Sequence, residues 1–209
     1  MPLRSLLVLV LPVLCAAAMT ISSSAFQRDG GSDNSVVARE GIPLMFGKAG
    51  DGVSPPLYVA GAPEGTQAFS LVLENVATKK VHWLAINLPG GTNLTLEEEA
   101  SSASIGVDES EALKGAREGV TSFRKRHYAG LTHRGGGGDA YRFKVYALLE
   151  AVFVDAEITK AGIDKADLMA LQKGKVLGMA SLTATFKAGP AAKARGKRKK
   201  NRKAGKGDL

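Results

Sequence analysis

The chain has almost no cysteine. Of its 209 residues only Cys15 carries a thiol, and it lies in a segment that processing is expected to remove, so disulfides, thiolate nucleophiles and cysteine metal sites are excluded from the remainder. Histidine is nearly as scarce, with three in all: His82, His127 and His133. His127 and His133 sit among Arg124, Lys125, Arg126 and Arg134, a setting hostile to a cation and short of a third ligand, so neither a metal nor another cofactor is expected. Glu97, Glu98 and Glu99 follow one another and need not face a common pocket, and no spacing suggests a Ser-His-Asp triad. These gaps point away from an enzyme.

Acids are missing from the first 28 residues, where Arg4 precedes thirteen apolar residues, Leu6 to Ala18, and a run of small ones. The pattern predicts a signal peptide over residues 1–25, cut after Ala18, with Ala16 as its small flank, or after Ala25, with Ser23. Thirteen residues fall well short of the roughly 20 that span a bilayer. A secreted or lumenal protein follows. A mitochondrial presequence fits less well because the run is apolar on every face. Phe26 directly after Ala25 resembles a bipartite plastid signal and keeps that route as an alternative.

A formal charge of +8 suggests a nucleic-acid partner until its location is counted. Residues 187–209 hold ten Lys or Arg against one Asp, which leaves eighteen bases and nineteen acids in everything before them. The body is close to neutral, and basicity belongs to a tail over 188–209 too polar to collapse into a core. Between leader and tail lies one domain's length of chain, expected to be monomeric.

Periodicity makes that body β-rich. Ala68 to Glu74 and Tyr141 to Leu148 alternate, Val81 to Leu88 is apolar on both faces as a central strand should be, and Gly178 to Phe186 is a fourth candidate. Asp108 and Asp164 are candidate caps for two peripheral helices, the second expected over Ala166 to Leu177. Asn87 is expected to hold a turn through local backbone bonds before Pro89.

A set of words in fixed order carries more: Ser54-Pro55-Pro56-Leu57, then His82-Trp83 with Asn87-Leu88-Pro89, then Tyr141-Arg142-Phe143 running to Ala147-Leu148. With Gly119 to Phe123 and Tyr128-Ala129-Gly130, they resemble the phosphatidylethanolamine-binding protein family over about residues 46–187. The resemblance implies a mainly β fold, an antiparallel sandwich with a few short peripheral helices. It places the domain at 46–187 and an N-terminal extension at 26–45.

It also implies a small pocket for an anionic or phospholipid head group, and a role in restraining kinases or proteases. Matched to the family's motifs, the ligand-binding candidates are His82, Tyr141, Asp139, Asn75 and Trp83. Asn75 and Ala77 stand where the family has Asp-Pro-Asp, and Asp139 replaces a histidine, which exchanges a cationic donor for a group that only accepts when ionised. The pocket is therefore expected to be weakened toward phosphate. Each candidate has a plainer reading, a hydrogen-bonded core histidine for His82 and core packing for Trp83. The alternative function is an adaptor whose tail binds nucleic acid or anionic membrane while the domain acts as a structural subunit.

Overall fold

The computed structural model describes residues 18–26, 35–101, 115–133, 137–154 and 162–187. Two sheets enclose the main core. The smaller holds β1 (Thr20–Ser22), β3 (Leu57–Ala60) and β6 (Leu94–Leu96) in the order β1-β3-β6. The larger runs β2-β9-β8-β4-β5-β7, from β2 (Ser35–Ile42), β4 (Ala68–Asn75), β5 (Val81–Pro89), β7 (Arg117–Glu118), β8 (Asp139–Leu148) and β9 (Val176–Phe186). The mainly β expectation holds. One ladder, β2 against β9, is parallel, so the larger sheet is mixed where wholly antiparallel pairing was expected.

The expected domain start at residue 46 is too late. β1 pairs with β3, β2 pairs with β9, and Met19, Ile21 and Phe26 are buried in the main core, so chain assigned to leader and extension builds both sheets. β4 shows why the larger sheet is central. Its residues alternate between two buried environments: Phe69, Leu71 and Leu73 face the space between the sheets, while Val72 faces a second cluster with Val81, Leu84, Ile86, Ile163 and Leu168.

Leu168 comes from the single α-helix among the described residues, α1 (Lys165–Leu171), which covers that outer face. Asp164 caps it, its carboxylate accepting from the N–H groups of Ala166 and Asp167 while Asp167 reaches back to the Asp164 N–H. The helix is shorter than the sequence suggests. Gln172 ends it, accepting from Ser70 Oγ at 2.7 Å, and Gly174 at φ +79° turns the chain so that Val176 opens β9. The helix expected at Asp108, the Gly135–Gly136 loop with Arg134, and the basic tail lie outside the described residues.

Two bulges bend β5. Phe69 pairs with Leu88 but Leu71 with Ala85, and Leu73 pairs with Trp83 but Glu74 with Val81, so β5 carries an extra residue at each place. Asn87 falls in the first, at φ +56°. Its side chain reaches a distant loop, donating to Val152 O at 3.0 Å and accepting from Val152 N–H at 2.8 Å, where a local turn was expected. His82 falls in the second.

Candidate ligand-binding site

Strand alternation alone would send His82 and Trp83 to opposite faces. With Val81 held on the helix side and Trp83 on the core side, the bulge leaves His82 between them, turned toward the end of the sheet. There its ring stands edge-on to Tyr141 at 5.0 Å and to Phe123 at 4.7 Å. A carbonyl only accepts, so the 3.0 Å contact with Ala129 O fixes the proton on Nδ1. The ring is 1% exposed. Burial pushes its pKa down; the Ala129 and Gly130 carbonyls and Asp139 push the other way, and Lys80 adds to the lowering. At neutral pH His82 is thus a neutral imidazole with an acceptor at Nε2, suited to a protonated group and supplying no positive charge.

The other sequence-derived candidates divide. Tyr141 is buried, and its phenol oxygen donates to Thr132 O at 2.6 Å and accepts from Thr132 N–H at 3.1 Å, which pins the loop following Gly130. Asn75 pairs opposite Tyr141, and its amide oxygen accepts from Ala77 and Thr78 N–H at 3.0 and 2.9 Å, holding the β4–β5 turn. Asp139 opens β8 at the same end and acts on His82 electrostatically. His82, Tyr141, Asn75 and Asp139 therefore gather. Trp83 does not join them: it is buried in the core against Tyr128, and its indole N–H donates to Glu118 Oε1 at 2.7 Å. Glu74, one residue before Asn75, lies on the helix side bonded to Lys144 and Lys165.

Beside this group lies a cavity of about 200 Å³. Phe123, Lys125 and His127 form one wall, Lys48 and Asp51 the other, and the backbone of Ala129 and Gly130 runs between. Gly130 permits the walls to meet, because a Cβ there would come 2.8 Å from the Lys48 nitrogen, whose N–H donates to Leu131 O. Two ammonium groups and a histidine face one carboxylate. Phe123, 36% exposed, touches both the cavity and the His82 ring and so separates them. The Arg-Lys-Arg-His cluster contains two of these wall residues; Lys48, Asp51 and Phe123 had no distinguishing pattern in the sequence.

Sequence reasoning also missed Glu118. On the edge strand β7 it accepts from Trp83 and from Ser101 Oγ, and Ser101 in turn accepts from Tyr128 N–H. Burial raises its carboxyl to about 7 against the lowering effect of the Ser101 and Trp83 donors. No three potential ligands for a metal ion gather among the described residues.

The sequence model of the phosphatidylethanolamine-binding protein family matches residues 32–187. The chain belongs to this family. Curated relatives within it include the UPF0098 protein of Aquifex aeolicus, 27% identical over 153 residues, which span 71% of this chain and 82% of that protein. The UPF0098 protein of Methanothermobacter thermautotrophicus is 30% identical over 152 residues, spanning 71% and 91%. Among solved structures, YbcL of E. coli, described as a member of the mammalian PEBP family, aligns at TM-score 0.62 and 22% identity over 83% of this chain and 100% of its own. A phosphatidylethanolamine-binding protein homolog from Chlamydia trachomatis aligns at 0.60 and 21%, covering 82% and 99%. In this member His82 is walled off behind Phe123, with Asp139 at the same end of the sheet.

Proposed function

We propose that this family member is a non-catalytic binding protein for small phosphate-type anions, whether free or as phospholipid head groups, and that the same end of the sandwich serves in restraining a protein partner. The observation that carries the reading is the pairing of a neutral, enclosed His82 with a cavity walled by Lys48, Lys125 and His127. The positive charge that an anion needs comes from the lysines rather than from the family's second histidine. Asp51 inside the cavity keeps affinity modest and favours a head group that brings its own ammonium.

Calorimetric titration of the full chain with O-phosphorylethanolamine and with inorganic phosphate tests this. The double variant Lys48→Ala/Lys125→Ala is expected to weaken both about tenfold or more, and stronger binding of phosphorylethanolamine identifies the head group as the preferred source. Unchanged binding in that variant sinks the reading. The ten bases of residues 187–209 favour a second reading in which the tail does the work. Binding through it falls steeply with salt and is indifferent to Lys48 and Lys125, so a salt series on vesicles with and without anionic lipid separates the two.

A further inference from the structure

Two points in the sequence suit removal of the leader, and the fold chooses between them. We infer that maturation cuts after Ala18, so that the working protein begins at Met19. The inference rests on reading residues 1–18 as a cleaved leader, and goes beyond it by locating the cut.

The choice turns on what residues 19–25 do. Met19 and Ile21 are buried in the core between the two sheets, at 6% and 1% exposure. Thr20, Ile21 and Ser22 pair with Ala60, Val59 and Tyr58, so β1 occupies one edge of the three-stranded sheet. Met19 reaches across to the other sheet, where its sulfur lies 3.7 Å from the point a Cβ on Gly178 would occupy. The next turn is held by Phe26 N–H donating to Ser23 O, and it delivers the Phe26 ring to Phe143 at 5.7 Å.

A cut after Ala25 would remove all of this except Phe26. β3 would be left with an unpaired backbone edge, and the space filled by Met19 and Ile21 would be a void at the end of the core. A cut after Ala18 keeps every one of these contacts. Ala18 is exposed and Met19 is buried, and the small-x-small pattern Ala16-Ala17-Ala18 ends at that step. Residues 19–25 look like part of the leader in composition because they are small or apolar and free of acids.

The test is translation of the full chain in the presence of microsomes, followed by N-terminal sequencing of the lumenal product, for the natural sequence and for Ala18→Gln and Ala25→Gln. The expected result is Met19 as the first residue of the natural chain and of Ala25→Gln, with the leader retained in Ala18→Gln. A natural product that begins at Phe26 overturns the position of the cut while leaving the leader reading intact, and it would favour the bipartite plastid route. A natural chain that keeps residues 1–18 overturns both. The anion titration depends on neither outcome, so failure here is distinguishable from failure of the proposed binding function.

Discussion

Two glutamates of the larger sheet, one buried and one half-buried, are handled in opposite ways. Glu74, in β4 beneath α1, is 3% exposed and sits between Lys144, at 2.7 Å, and Lys165. Burial pushes its carboxyl up, but the two ammonium groups outweigh that and hold it below the usual range. Glu118, on edge strand β7, accepts from the neutral donors Trp83 and Ser101 among the described residues, and burial wins, to about 7. Depth alone therefore does not set the charge of a carboxyl. At neutral pH the outer face is an ionised clasp between sheet and helix, whereas the β7 edge holds a group that changes state near neutrality.

The strongest way to break this contrast is to strip Glu74 of its cations. Lys144→Met/Lys165→Met leaves a buried carboxylate uncompensated, and about 3 kcal/mol of stability should be lost at pH 7, as urea unfolding would register. The loss should shrink below pH 4, where Glu74 can protonate; an equal loss at both pH values would mean that the lysine stems, rather than their charges, matter.

The second prediction concerns Glu118. Its folded pKa lies above its unfolded one, so the folded state binds the extra proton and stability falls as pH rises from about 4.5 to about 7. A displacement of this size corresponds to up to about 3 kcal/mol. Glu118→Gln, which cannot ionise, should flatten that part of the profile and be the more stable chain at pH 8. A wild-type profile already flat between pH 4.5 and 7 would place water or a cation at Glu118.

His82 extends the comparison to a buried base, since burial lowers its pKa as it raises that of Glu118. Phe123→Ala admits water to the ring and should move the His82 titration upward, followed by its imidazole NMR shifts. The stability cost should be the smallest of the three, about 1 kcal/mol, because Phe123 is already 36% exposed. An unmoved titration would show that Phe123 is not what closes His82 off.

What the sequence disclosed follows the same physics. Strands β4, β8 and β9 were legible because their side chains alternate between surroundings that composition reports, and the ordered motifs located one end of the sheet. The two bulges of β5 were not, because a bulge is a property of a pair: nothing in Val81-His82-Trp83 reveals that Glu74 opposes Val81. Asn87 looked local for the same reason, its partner Val152 lying beyond any turn. Trp83 and His82 are neighbours in the motif, yet one serves the core and the other the site. β1 was hidden among small, acid-free residues that read as the end of the leader, and Glu118 by having partners that are polar but uncharged.

The parallel ladder between β2 and β9 has a consequence for how the molecule is made. It joins residue 35 to residue 181, so the first long strand of the sheet waits beside an empty place until almost the whole domain has been synthesised. Sequence-distant pairings of this kind are slow to form. A nascent chain of this family member therefore carries an unfinished sheet to the end of translation.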